Sequence, residues 1–289
     1  MAHRIGSSLF AATIALALLF SAPAQALYAV FISGNGDNLN NCATPAEACC
    51  SFQRAQIVAD AGGVIHVLAG DYAPVIITKS LQIIADGGQA SIAAGTASAG
   101  GVTAGIVVNA GPTDVVAIRG MIVDRYGFGG GGIGLVAGGA LHVENCTLVN
   151  SINDFGIVFR PTASSELFVS NCTIANNGGG GTGGGIEVRP GAGASAKVNI
   201  KGTRVLNNRA GIEIFNRGKV TVRDSTIAGN GIGVRVQGVQ AFARIGDSTI
   251  SGNQVGLQVD GGGLMQSHRG NVLTDNVVDG AFNGLVNPL

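Results

Sequence analysis

Apolar and polar positions recur along this chain with a period too long for a single helix or strand. Five segments, Glu144–Leu148, Ser170–Ile174, Lys201–Val205, Arg223–Ile227 and Gly246–Ile250, align without gaps, and Arg269–Leu273 continues the series. Their successive spacings are 26, 31, 22, 23 and 23 residues. Three residues after the apolar position that closes each segment stands a polar one: Ser151, Asn177, Asn208, Asn230, Asn253 and Asn276. A second element, Gly followed by Ile or Leu and an alternating pattern, recurs at Gly105, Gly132, Gly156, Gly185, Gly211, Gly231 and Gly256. Each unit therefore holds at least two short strands of period 2 joined at a polar corner, without the 3.6-residue pattern of a helix.

Such units predict an all-β chain, a right-handed parallel β-helix of about nine coils of 22–31 residues, in which each coil buries its Ile and Val by stacking on its neighbours. Leucine-rich repeats share the length, but Ile, Val and Gly occupy the places where those repeats require Leu. At a strand spacing of 4.7–4.9 Å the rod is about 40–45 Å long. Stacking aligns Asn208, Asn230, Asn253 and Asn276 at one corner, where Asn tolerates left-handed backbone and its amide can bond the next one in a ladder; their role is structural. It also sets Cys146 over Cys172, a spacing that suits a disulfide or two stacked buried thiols equally. Thr203, Ser225 and Ser248 continue that column as space-fillers.

Ahead of the coils, Ser51–Gly63 reads as a helix that starts at a Ser cap, stops at Gly and turns Phe52, Ala55 and Ala59 to one face. It covers an open end of the rod, which otherwise exposes apolar core and unpaired strand edges. The expected organisation is an export signal over 1–26, a disulfide loop and capping helix over 27–63, the β-helix over 64–280 and a short C-terminal cover over 281–289.

Composition supports a packed chain: of 289 residues 48 are Gly, 46% are hydrophobic and only 12% charged, which excludes disorder. Lys plus Arg equals Asp plus Glu at 17 each, so no overall field attracts nucleic acid or an anionic membrane. His3 and Arg4, the apolar run Leu9–Phe20 and Ala24-Gln25-Ala26 have the form of a signal peptide cut after Ala26, giving a secreted or periplasmic product with no membrane span. Export places the cysteines in an oxidising compartment. There Cys42 pairs with Cys49 or Cys50; without a His, and without zinc-ribbon spacing, the cluster is no metal site.

The sequence resembles the secreted bacterial right-handed β-helix repeat proteins of the pectate-lyase-like superfamily. The likeness runs through Phe31–Asn38, the Cys-Pro-Cys loop, Phe52-Gln53-Arg54-Ala55, Gly62–Val67, Gly70-Asp71-Tyr72, Val75–Ser80 and Ala140–Cys146, covering the chain beyond the export signal. The resemblance implies the fold strongly and the function weakly, since one fold hosts many activities. It also implies that enzymes of the superfamily build their cleft on the outer face of the sheet bearing the Gly-Ile strands.

Alternation assigns two outward columns to that face. The first is Val107, Gly134, Val158, Glu187, Glu213, Gly233 and Gln258; the second is Asn109, Val136, Arg160, Arg189, Phe215, Arg235 and Asp260. Glu187 and Glu213, one coil apart, approach the separation of the two carboxylates in a retaining glycosidase. Arg189 or Arg235 can neutralise a uronate or stabilise a developing carbanion, as a polysaccharide lyase requires. The opposing reading is a surface ion-pair ladder, which adds little stability. Arg160, Phe215, Tyr126 and Asp260 are the candidate binding residues, and the glycine runs at 129–132 and 178–185 are connections beside Tyr126 and Phe128 rather than phosphate loops.

The catalytic signatures of polygalacturonases and the calcium-binding Asp cluster of pectate lyases are missing, so the sequence implies no cofactor and no metal. His66, His142 and His268 are expected to be structural or surface residues. Zero Trp and three Tyr speak against sugar stacking. The expected function is a non-catalytic binding or structural module whose partner is a polysaccharide or a cell-surface component; the alternative is a polysaccharide lyase or glycoside hydrolase acting on uronate-containing polymers.

Overall fold

The computed structural model describes residues 27–85, 89–92 and 95–286. The export signal expected over 1–26, and residues 287–289 of the expected C-terminal cover, lie outside the described residues. The chain winds into a parallel β-helix of three sheets. Eleven strands form the first sheet, from Leu27–Ile32 through Ala59–Val67 to Gly284–Leu285. Nine form the second, from Gly70–Tyr72 to Val272–Thr274. The third runs from Val75–Ile77 to Val255–Asp260 and includes one antiparallel member, Ala97–Ala99.

Successive coils pair in parallel register, which lines the interior with columns of branched side chains. One such column is Ile106, Ile133, Ile157, Ile186, Ile212, Val234 and Leu257. Each is fully or almost fully buried, a gain of about 1.5–3 kcal/mol per side chain from the hydrophobic effect. The first sheet keeps the simple alternation that period 2 predicts, as in Ala140–Glu144, where Leu141 and Val143 are buried and their neighbours half-exposed.

Two corners use the same device. Each places one residue in left-handed backbone and follows it with a ladder residue. Between the second and third sheets the left-handed residues are Asn150, Asn176, Asn207, Gly229, Gly252 and Asp275, with φ of 54–68°. The ladder asparagines come one position later, so the left-handed role expected of Asn208, Asn230, Asn253 and Asn276 falls on the residue before each. Freed from that role, their amides close a continuous ladder. The backbone N–H groups of Asn177, Asn208, Asn230 and Asn253 each donate to the Oδ1 of the next coil at 2.9–3.0 Å, and their Nδ2 groups donate to the same oxygens at 2.8–3.1 Å.

At the corner between the first and second sheets, Cys172, Thr203, Ser225 and Ser248 do more than fill space. The N–H of Cys172 donates to Thr203 Oγ1 at 3.4 Å, Thr203 to Ser225 Oγ at 3.2 Å, Ser225 to Ser248 Oγ at 3.2 Å, and Ser248 to Asn271 Oδ1 at 3.2 Å. Cys146 and Cys172 form no disulfide; both are buried free thiols. Each sulfur lies near the carbonyl two residues before it, Glu144 at 3.2 Å and Ser170 at 3.3 Å, and Cys172 Sγ also accepts from the N–H of Cys146 at 3.5 Å.

Cys42 pairs with Cys49, their Cα atoms 5.0 Å apart. Cys50 is an exposed free thiol, because adjacent residues of extended chain face opposite ways and Cys49 points inward. The capping helix is shorter than predicted. It spans Phe52–Val58, capped by Ser51 Oγ accepting from Arg54 N–H, and buries Phe52, Ala55 and Val58. Ala59 instead begins a strand, paired with Leu27, while its N–H closes the helix on Ala55 O. At the far end Gly284–Leu285 adds a strand to the first sheet. No helix among the described residues is long and apolar enough to cross a membrane.

Candidate functional site

The outer face of the third sheet divides into two halves. In the early coils the strand Ala97–Ala99 folds back on Val102–Asn109 and, with Ile76, roofs the face. Val107, Val136 and Val158, predicted to point into solvent, are buried beneath it with Val102, Ala104 and Phe155. The predicted open face therefore starts only where the roof stops, at the coil of Glu187.

Pairing registers there place Val158, Glu187, Glu213, Arg235 and Gln258 in one outward column. Arg235 thus stands beside Glu213, not in the second column as expected, and Gly233 lies opposite Gly211 and Gly256. The Gly-Ile at 231–232 misleads here, because Val234 is the residue that pairs with Ile212. Arg160, Arg189, Phe215 and Asp260 follow one position after paired inward residues and line the second column.

Glu187 is 1% exposed and both its oxygens are engaged. Oε2 accepts from Arg160 Nε and Oε1 from Arg189 Nε at 2.7 Å. The guanidinium of Arg189 in turn lies 3.5 Å over the ring of Phe215, a cation–π contact that fixes its plane. Among the described residues Glu213 forms one ion pair, with Arg235, whose Nη1 is 3.6 Å away. Burial pushes the Glu213 carboxyl above its ordinary range, and Glu187 adds to this, while Arg235, Arg209 and Arg189 pull the other way. Arg235 Nε also donates to Asp260 Oδ2 at 2.8 Å, and this bond, with that from Gln258, holds Asp260 low.

Arg160, Glu187, Arg189, Glu213, Phe215 and Arg235 border a groove of about 460 Å³ that Asp154, Thr182 and Arg209 complete; Asp260, expected to bind, does not line it and instead holds Arg235. Asp154 is raised by burial, against the N–H of Phe155 and the charge of Arg160. Strand alternation did not reach Asp154 or Arg209, since both stand at strand entries; the signal for Arg209 is its place directly after Asn208, where the chain leaves the ladder. Tyr126 does not join this groove. It is 61% exposed and borders a separate hollow of about 330 Å³ on the corner between the second and third sheets.

The donor set does not suit a calcium ion, which requires six to eight oxygens. Glu187 and Asp260 are held by arginines, and among the described residues no group of three or more His, Cys, Asp or Glu comes together. His66 and His142 lie instead in ring stacks, His66 with Phe31 at 4.8 Å and His142 with Phe168 at 4.6 Å.

The chain belongs to the family described as the right handed beta helix region, which matches residues 104–278. No curated protein sequence matches it. Three solved structures share the fold at low identity. A pectate lyase, Pel9A, is 18% identical with a TM-score of 0.61, covering 84% of this chain and 69% of its own. An alginate lyase from Paenibacillus sp. str. FPU-7 is 15% identical with a TM-score of 0.53, covering 82% and 97%. A rhamnogalacturonan lyase is 14% identical with a TM-score of 0.52, covering 83% and 70%. These matches correct the expectation of a non-catalytic module. All three are named as lyases, which places the enzymatic alternative ahead of the non-catalytic reading.

Proposed function

We propose that this protein is an exported polysaccharide lyase acting on a uronate-containing polymer, with the groove around Glu213 as its active site. The observation that carries the reading is a buried carboxyl, raised in pKa and lightly held, flanked by Arg235 and Arg209 in a groove with two further arginines. β-Elimination needs such a set. A base takes the proton α to the uronate carboxyl, the electron pair forms the C4–C5 double bond, and the C4–O bond breaks, the glycosidic oxygen leaving on the shortened chain and taking up the removed proton, directly or through water, to become a hydroxyl. The arginines neutralise the carboxylate while negative charge builds on it, and Glu213 is placed to take the proton.

The hydrolase version is less well supported. A retaining pair needs two carboxyl groups free to act as nucleophile and acid, whereas both oxygens of Glu187 are occupied by arginines. Glu187 is instead a positioning residue, holding Arg160 and Arg189 in place.

The test is an elimination assay on polygalacturonate, alginate and rhamnogalacturonan, following the ultraviolet absorbance of the unsaturated product. At least one polymer is expected to be cleaved, and Glu213→Gln to lower kcat by about 10²-fold or more without loss of thermal stability. Cleavage that yields a reducing end without the unsaturated product, or full activity in Glu213→Gln, overturns the assignment.

A further inference from the structure

The corner between the second and third sheets carries a second set of exposed groups that the groove does not use. Asn150, Asn176 and Asn207 occupy the left-handed position of successive coils, and Tyr126, in the coil before, is also left-handed with φ of 45°. Asn176, Asn207 and Tyr126 are exposed. The Asn150 amide and the N–H of Tyr126 share Asp124 Oδ1, at 2.9 and 2.8 Å, which braces the start of the row. Backbone geometry alone does not demand these amides, because Gly229 and Gly252 serve the same position in the next two coils.

Two hollows run along this row. The first, about 330 Å³, is bordered by Tyr126, Asn150, Ile152, Asn176 and Gly179. The second, about 550 Å³, shares Asn176 and Gly179 with it and continues to Asn207 and Arg209. Arg209 also borders the groove of Glu213. A continuous track therefore leads from Tyr126 into the groove, about 14 Å along three coil steps.

Its chemistry differs from that of the groove. Four arginines border the groove; the track has an exposed phenol ring, Ile152 and three amides, and Arg209 at the junction is the one charged side chain bordering either hollow. An aromatic face with amide donors and acceptors suits neutral pyranose rings and their hydroxyls, whereas guanidinium groups suit carboxylates. We propose that the track binds neutral sugar residues of the glycan whose uronate enters the groove, so that the preferred substrate is a heteropolysaccharide in which neutral sugars adjoin a uronate. This rests on the reading of the groove as a lyase site.

The test compares Tyr126→Ala and Asn207→Gly with the unaltered protein on a rhamnogalacturonan backbone, which alternates neutral and acidic sugars, and on polygalacturonate. Glycine at 207 copies the next two coils and leaves the fold intact. Expected is a KM rise of about five- to tenfold on the mixed polymer for Tyr126→Ala, as for loss of one ring contact, with kcat unchanged and polygalacturonate unaffected. Asn207→Gly shifts KM the same way, less strongly. Equal shifts on both polymers, or no shift on either, overturn the track while leaving the lyase reading intact. If no polymer is cleaved, the lyase reading fails and the track is judged by binding: neutral galactan oligosaccharides titrated against the Tyr126 ring signals by NMR. Saturable shifts that disappear in Tyr126→Ala support it, and their absence overturns it.

Discussion

Replacing Asn230 by Ala removes the middle rung of the amide ladder. The residue is 2% exposed, and its amide makes four bonds. Oδ1 accepts from Asn208 N–H at 2.9 Å and Asn208 Nδ2 at 3.1 Å, while Nδ2 donates to Val205 O at 3.1 Å and Asn253 Oδ1 at 3.0 Å. Truncation leaves the partners unequally placed. Asn208 Nδ2 keeps Ile174 O, and Asn253 Oδ1 keeps the N–H of Asn230. The backbone N–H of Asn208 loses its acceptor inside the corner. One orphaned buried donor costs about 1–3 kcal/mol and each of the three other lost bonds about 0.5–1.5, so the expected loss is about 2.5–7.5 kcal/mol. Asn276→Ala is the control. It removes a similar set of bonds from the half-exposed last rung, where water replaces them, and is expected to cost about 1–2 kcal/mol. Urea unfolding gives the two losses, and amide hydrogen exchange at Asn208 reports whether the damage is local, as nearest-neighbour coupling in a solenoid requires. A loss below 1 kcal/mol for Asn230→Ala, or equal losses at both rungs, would refute the ladder as the source of corner stability.

Three further outcomes follow from the site and the cysteines. Because folding raises the Glu213 carboxyl, the native state favours its neutral form, and stability is lost as pH rises through the carboxylate range; Glu213→Gln is therefore expected to unfold at higher urea than the unaltered protein at neutral pH, the gap closing on acidification. A gap that widens towards low pH would show the opposite sign. Glu187→Ala leaves Arg160 and Arg189 without their shared carboxylate, and since both are partly exposed the expected loss is about 1–3 kcal/mol, together with raised KM; unchanged unfolding with abolished kcat would make Glu187 catalytic instead. Thiol titration should find one reactive group in the native protein, Cys50, and three after denaturation without reductant; one group in both states would mean that Cys146 and Cys172 are bridged.

The repeat made the solenoid legible because stacking forces the same residue type onto the same place in every coil. Asn208, Asn230, Asn253 and Asn276 are one column in the sequence and one ladder in space. What misled was local irregularity. Arg235 was placed one column out because Gly231-Ile232 imitates the strand motif, although the strand residue that pairs across coils follows the ladder Asn by four positions in Asn208–Ile212, Asn230–Val234 and Asn253–Leu257. Counting from the asparagine, which hydrogen bonds fix, recovers the register; counting from glycine, which only permits a conformation, does not. The roof over Val107, Val136 and Val158 was illegible for a different reason. It is an insertion outside the repeat, and alternation cannot tell an apolar residue that faces solvent from one that faces a covering strand.

The same separation explains how a chain with no net charge can hold a field in one place. Inward columns and ladders are fixed by packing and hydrogen bonding, so charge accumulates at outward positions: Lys197, Lys201, Lys219 and Arg223 on the first sheet, and the groove on the third. Four arginines border the groove against three carboxyls, Asp154, Glu187 and Glu213. Burial raises the carboxyls of Asp154 and Glu213 above their ordinary range, while both oxygens of Glu187 are engaged by arginines. The groove thus holds one arginine more than its carboxyls, inside a protein whose 17 basic and 17 acidic side chains cancel overall. For the uronate polymer proposed as substrate, attraction to those arginines is screened by salt beyond about 8–10 Å, so its KM is expected to rise with ionic strength.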